Sequence, residues 1–164
     1  MVGGGNIDPW SSEQSTDYDR MIEQFGLTPM NLGSMPNPGM LHRRGIVFAH
    51  RDLDVITESI TKGDPFGVLT GLMPSGRMHL GQSMVIEQVR WFQDQGADVT
   101  VAVADLEALA TRGTSLHKGR ETALREYVLN YAALGLDADK TNVYFQSSRP
   151  EVQRLAFTLG KRTN

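Results

Sequence analysis

Cysteine is absent from the 164 residues, which excludes a disulfide framework, a thiolate-held zinc or iron–sulfur centre, and thiol catalysis. No apolar run approaches the roughly 18 residues of a membrane-spanning helix, and the start Met-Val-Gly-Gly-Gly-Asn lacks the basic residues and apolar stretch of a secretory leader. A soluble, cytoplasmic protein with no membrane contact is the expectation. Basic charge is not in excess either: 16 Lys and Arg against 19 Asp and Glu give a net charge of −3. That excludes a uniformly basic nucleic-acid coat and leaves room for a local basic patch. Neither Gly-x-Gly-x-x-Gly nor the Gly-Lys-Ser/Thr of a P-loop occurs, so the two commonest nucleotide fingerprints are missing. No cluster of His, Asp and Glu has metal-ligand spacing, and no resident metal is expected.

What is present is a chain of one-domain length with 40% hydrophobic and 21% charged residues, ordinary for a packed protein. Residues 1–60 are crowded with turn formers, among them Gly3-Gly4-Gly5, Asp8-Pro9 and the cluster from Gly33 to Gly39. Between these fit a short helix carrying Met21, Ile22 and Phe25 with Gly26 as its stop, and a short strand at Ile46-Val47-Phe48. This segment reads as an N-terminal extension. Residues 61–164 differ, because strand-length apolar runs alternate with segments of helical period. Phe66 to Gly71 predicts a buried strand. Met84, Val85, Gln88, Val89 and Phe92 then trace a helix face up to Gly96, with Trp91 as core. Val99 to Ala104 predicts a second strand, and Ser115 caps a second helix whose apolar positions are Leu124, Tyr127, Val128 and Tyr131. A third strand spans 142–146, and Val152, Leu155, Ala156 and Leu159 make a third helix stopped by Gly160.

The order β-α-β-α-β-α demands crossover connections, hence a parallel sheet. The fold expected is therefore α/β, the first half of a doubly wound, Rossmann-type sheet behind an N-terminal extension. Ligands in such folds sit beyond the carboxyl ends of the strands. The segment there is Gly71-Leu72-Met73-Pro74-Ser75-Gly76-Arg77-Met78-His79-Leu80-Gly81-Gln82. Its glycines bracket a histidine that opens a helix, where free backbone N–H groups and the dipole attract phosphate. His79 can donate to a phosphoryl oxygen, and Gly81 lets a ligand approach the backbone. Met73 and Met78 are expected to pack along the pocket wall. Arg43-Arg44 and His50-Arg51 suit either nucleic-acid phosphates or pairing with Asp52, Asp54 and Glu58 on a solvated face.

The string Pro-Ser-Gly-x-x-His-x-Gly resembles the first ATP-binding signature of class I aminoacyl-tRNA synthetases, usually His-Ile-Gly-His and here His79-Leu80-Gly81-Gln82. Within that class the chain resembles the archaeal and eukaryotic tryptophanyl type, because Asp8-Pro9-Trp10, Asp17-Tyr18-Asp19, Phe25-Gly26, Arg43-Arg44-Gly45, His50-Arg51-Asp52 and Ala104-Asp105-Leu106-Glu107 agree in order. The resemblance implies activation of tryptophan by ATP with Mg²⁺, release of pyrophosphate, transfer to tRNA(Trp), and a homodimer when full length. Carried over by position, Pro74, Ser75, Gly76, His79, Gly81 and Gln82 hold ATP, His79 and Gln82 being the catalytic pair. Leu69, Gly71, Ala102, Asp105 and Glu107 line the amino-acid pocket.

Three departures stand out. Gln82 replaces the second signature histidine, and Leu69 and Ala102 stand where eukaryotic tryptophanyl enzymes have a tyrosine and a glutamine. The lysine-rich second signature, Lys-Met-Ser-Lys-Ser, does not occur. The chain therefore reads as an N-terminal piece of the catalytic domain, interrupted after the helix that ends near Gly160. Two alternatives share the loop: a truncated paralogue that binds adenine nucleotide or amino acid without chemistry, and a small nucleotidyltransferase.

Overall fold

The computed structural model describes residues 17–162; Gly3-Gly4-Gly5, Asp8-Pro9-Trp10 and the final Thr163-Asn164 lie outside the described residues. The chain divides into two compact units, with the boundary between Asp64 and Pro65.

In the first unit, helix α1 (Tyr18–Phe25) begins where Asp17 accepts the Arg20 amide at 3.0 Å and ends at Gly26, whose φ of +58° provides the left-handed stop. Strand β1 (Thr28–Pro29) pairs antiparallel with β2 (Ala49–His50), on either side of helix α2 (Met40–Arg43). The strand expected at Ile46 begins three residues later. The Ile46 and Val47 amides both donate to the Leu41 carbonyl, closing the end of α2 instead of pairing in a sheet. Helix α3 (Leu53–Lys62) follows and stops at Gly63.

The second unit runs β3 (Gly67–Leu72), α4 (Leu80–Asp94), β4 (Asp98–Val103), α5 (Asp105–Arg112), α6 (Leu116–Thr122), a π turn (Ala123–Val128), α7 (Leu129–Ala133), β5 (Thr141–Phe145) and α8 (Pro150–Leu159). The three strands form one parallel sheet in the order β3-β4-β5, with Leu69 opposite Thr100 and Thr100 opposite Asn142. This is the expected Rossmann-type half-sheet. On one face, Val99 and Val101 meet Ile86 and Val89 of α4 together with Tyr127, Tyr131 and Leu136, and Val68, Leu72 and Val143 pack against them. Alternation puts Leu69 on the opposite face, where it is 72% exposed. The expectation of a wholly buried first strand is corrected: β3 is an edge strand with one face covered.

Between β4 and β5 the structure adds an element that the sequence pattern did not announce. Helix α5 starts directly after β4 and ends at Gly113, φ +64°. Ser115 then caps α6 by accepting the Lys118 amide, as expected. The buried positions of this helical segment are Gly119, Ala123, Tyr127 and Tyr131. A strict four-residue step drifts about 40° per step on an α-helix. The π turn, with its i→i+5 bonds, absorbs that drift. Leu124, expected on the core face, is consequently 48% exposed. Gly160 does not stop α8 with a left-handed turn either; at φ −56° it passes into a 3₁₀ turn.

Two buried polar side chains give opposite expectations for stability. Gln93 of α4 is 4% exposed. Its Oε1 accepts the Asp137 amide at 2.8 Å, and its Nε2 donates to Thr141 Oγ1 at 2.8 Å, latching the turn before β5. Gln93→Leu strands that buried amide and should lower the unfolding free energy by roughly 1–3 kcal/mol in a urea titration. An unchanged midpoint would remove the latch from the account. The Tyr131 hydroxyl, by contrast, is buried with no partner among the described residues, and burial pushes its ionisation well above the ordinary phenol range. Tyr131→Phe removes an unpaired polar group and should raise stability by about 1 kcal/mol, read as an upward shift of Tm.

Candidate functional site

All three strands point their carboxyl ends the same way, so the segment Met73–His79, the first turn of α5 and the 3₁₀ turn Gln146–Ser148 gather at one end of the sheet. Pro74 is fully buried, and a side chain on Gly119 of α6 would meet its Cγ at 3.9 Å. Its ring is thus a floor beneath the loop, while Ser75, Gly76, His79 and Gly81 are exposed. Met78 packs against the core, and Met73 Sδ accepts from Thr111 Oγ1 at 3.6 Å, so both methionines act as loop packing.

His79 takes extended backbone angles just before α4. Its own N–H donates to Gln82 Oε1 at 3.1 Å, and its imidazole lies over Gly81, where any Cβ would stand 3.3 Å from ring Cε1 and Nδ1. A side chain at that position would press on the ring, whereas nothing about its backbone angles calls for glycine. Gly81→Val should displace the imidazole and weaken ATP binding several-fold while leaving the Tm within a few degrees. Retained ATP affinity in a calorimetric titration would separate the ring's position from binding. Gln82 Nε2 reaches Tyr127 Oη at 3.3 Å.

The residues expected in the amino-acid pocket are only partly brought together. Leu69, Gly71 and Ala102 share one face of the sheet, with Gly71 paired to Ala102 and Ala102 paired to Tyr144. Leu69 and Gly71 are exposed, and Ala102 is buried. Glu107 stands exposed in the first turn of α5. Asp105 differs. It is 1% exposed, its Oδ1 accepts the Ser147 amide at 3.0 Å, and its Oδ2 accepts the Ser147 hydroxyl. Its oxygens join the start of α5 to the 3₁₀ turn after β5, a structural role beside the one expected of it in the amino-acid pocket. Thr100 and Tyr144 lie on the same face, as period-two counting from Ala102 and across the register places them. Arg149 lies over the Tyr144 ring at 5.2 Å.

Arg43 and Arg51 are held locally, Arg43 donating to the Pro38 carbonyl and Arg51 to that of Phe25 at 2.5 Å. His50 Nδ1 accepts the Leu53 amide at 3.2 Å, and Glu58 pairs with Lys62. Among the described residues these contacts do not include the expected pairing with Asp52, Asp54 or Glu58. Among the described residues no helix is long and apolar enough to cross a membrane, and no group of three or more His, Asp or Glu could hold a metal ion.

The sequence pattern of the family described as tRNA synthetases class I (W and Y) matches residues 61–164. A tryptophan–tRNA ligase of Methanosarcina acetivorans is 45% identical over 160 residues, covering 96% of this chain and 36% of its own length. That of Thermoplasma acidophilum is 46% identical over 158 residues, with the same two coverages of 96% and 36%. The crystal structure of tryptophanyl-tRNA synthetase from Aeropyrum pernix superposes with a TM-score of 0.80 at 39% identity, over 94% of this chain and 44% of that one. The chain spans less than half the length of each of these relatives.

Proposed function

The chain belongs to the class I tRNA synthetase family of the tryptophan and tyrosine enzymes, and we propose that it is the part of a tryptophan–tRNA ligase that binds ATP and tryptophan. The observation that carries this reading is the loop: Pro-Ser-Gly-x-x-His-x-Gly lies between β3 and α4 at the carboxyl end of a parallel sheet, with His79 stacked over Gly81. In the reaction, a tryptophan carboxylate oxygen bonds to the α-phosphorus of ATP while the bond to the β-phosphate bridge breaks. Pyrophosphate leaves, and the adenylate later gives its aminoacyl group to the 3′ end of tRNA(Trp). Mg²⁺ arrives with the triphosphate and neutralises its charge.

This chain's contribution is positioning and charge stabilisation. The exposed backbone of Ser75, Gly76 and Gly81 approaches the nucleotide, His79 donates to a phosphoryl oxygen, and Pro74 supports the loop from below. Leu69 offers an exposed apolar side chain to the indole, with Gly71 and Ala102 leaving room beside it on the same face of the sheet. An indole N–H taken out of water needs an acceptor, and none of those three side chains has one. Glu107 is exposed at the same end of the sheet and supplies it. Asp105 contributes by holding the strand ends through Ser147. The full-length protein is proposed to act as a homodimer.

Glu107→Ala should weaken tryptophan binding by about 1–3 kcal/mol with ATP binding nearly intact, measured by calorimetry for each ligand separately. Equal tryptophan affinity in the variant would assign the acceptor to another residue. Family membership leaves no place for the small-nucleotidyltransferase alternative. The non-catalytic alternative is separated by adenylate formation.

A further inference from the structure

Gln82 stands where the family signature has its second histidine, and its amide oxygen and one of its two amide N–H groups already have partners within the protein. Oε1 accepts the N–H of His79 at 3.1 Å, and Nε2 donates to the hydroxyl of Tyr127 at 3.3 Å. Tyr127 is 2% exposed and belongs to the core cluster under the sheet, so its hydroxyl cannot reach a ligand in solvent. We propose that Gln82 and Tyr127 are positioning residues, a two-bond brace that fixes the backbone of His79 to the core and thereby aims its imidazole, and that Gln82 is not itself a phosphate ligand. This inference rests on the ATP-binding reading of the loop.

The π turn is what makes the brace possible. Gly119 faces Pro74 and Asp105, eight residues before Tyr127 on the same helical segment. On an uninterrupted α-helix two four-residue steps would swing Tyr127 about 80° away from that line. The π turn Ala123–Val128 keeps both on one face. One helical segment therefore supports the loop at both ends, Pro74 through Gly119 and Gln82 through Tyr127. A glutamine suits this role because its amide offers an acceptor and a donor on adjacent atoms. The neighbouring Tyr131 provides an internal control: it packs edge-on to Tyr127, with centroids 6.4 Å apart, and its hydroxyl has no partner among the described residues.

The test uses the 164-residue chain with two readouts. The first is hydrogen exchange of backbone amides followed by NMR. Tyr127→Phe should speed exchange at His79 roughly 3- to 10-fold, as expected when one hydrogen bond supporting a local closed state is removed, with Val101 in the central strand unchanged. Tyr131→Phe should leave His79 exchange as it is. The second readout is a double-mutant cycle in ATP affinity with Gln82→Ala and Tyr127→Phe. If the two act as one brace, Tyr127→Phe alone weakens ATP binding several-fold, and the double variant binds no worse than Gln82→Ala. Multiplying losses would show that Gln82 contacts the nucleotide independently and would overturn the proposal. Unchanged His79 exchange in Tyr127→Phe would overturn it as well. Should the unmodified chain bind no ATP, the nucleotide reading fails, and the brace is still decided by the exchange rates.

Discussion

Replacing His79 with alanine, in a chain completed by the remaining part of a tryptophan–tRNA ligase, slows tryptophan-dependent ATP–pyrophosphate exchange roughly 10- to 1000-fold. The size follows from what the imidazole supplies. In the proposed reaction charge builds on the phosphoryl oxygens during transfer, and a donor held in place beforehand stabilises that charge without reorganising. His79 has that preorganisation on its own side: its N–H is tied to Gln82, and its ring is seated on Gly81. The exchange rate should fall further than the apparent ATP affinity, which drops only several-fold because exposed loop backbone remains to bind the ground state. A rate within twofold of the unmodified protein would remove His79 from the mechanism.

The second large effect concerns the 164 residues by themselves. They should bind ATP weakly and form little tryptophanyl-adenylate, and adding the remainder of the ligase in trans should raise exchange by at least roughly 100-fold. Two observations support this. The sheet has β3 at its edge, with Leu69 72% exposed, so the side of the pocket next to β3 is open. The sequence also carries no Lys-Met-Ser-Lys-Ser, which leaves the developing phosphate charge to His79 and helix-end amides. Each missing charged group is worth a few kcal/mol in a transition state of this type. Exchange by the isolated chain at the rate of a full-length relative would mean that these residues contain a complete site.

The parts of this fold that the sequence announced are those set by local pattern. Val99 to Val103 is apolar and rich in β-branched residues, and it became the buried central strand. Ser115 and Gly26 cap as their chemistry suggests. Helix α5 escaped notice because it follows β4 with no turn former between them, and its N-cap, Ala104, carries no capping side chain. Counting threes and fours puts Leu124 in the core, a rule that fails across a π turn. The exposure of Leu69 was illegible for another reason: whether a strand face is covered depends on what packs there, and no local spacing encodes it.

The site divides along the same line. The loop from Pro74 to Gln82 was legible because its residues are contiguous and their chemistry depends on a strand before and a helix after. The partners that define its neighbours were not, since Ser147 is 42 residues from Asp105 and Tyr127 is 45 from Gln82. Asp105 was legible as a carboxylate at a strand end. Only the fold reveals that a serine from the turn after the next strand bonds to it.

The central claim, that this chain carries the ATP and tryptophan sites of a ligase, is tested most directly by the amino-acid dependence of ATP–pyrophosphate exchange. The chain is combined with the remaining part of a tryptophan–tRNA ligase, and each of the common amino acids is supplied in turn. The account predicts exchange with tryptophan, little with tyrosine or phenylalanine, and a tryptophan signal at least roughly tenfold slower in His79→Ala. Exchange driven by another amino acid, or none with any of them from a folded complex, would contradict it.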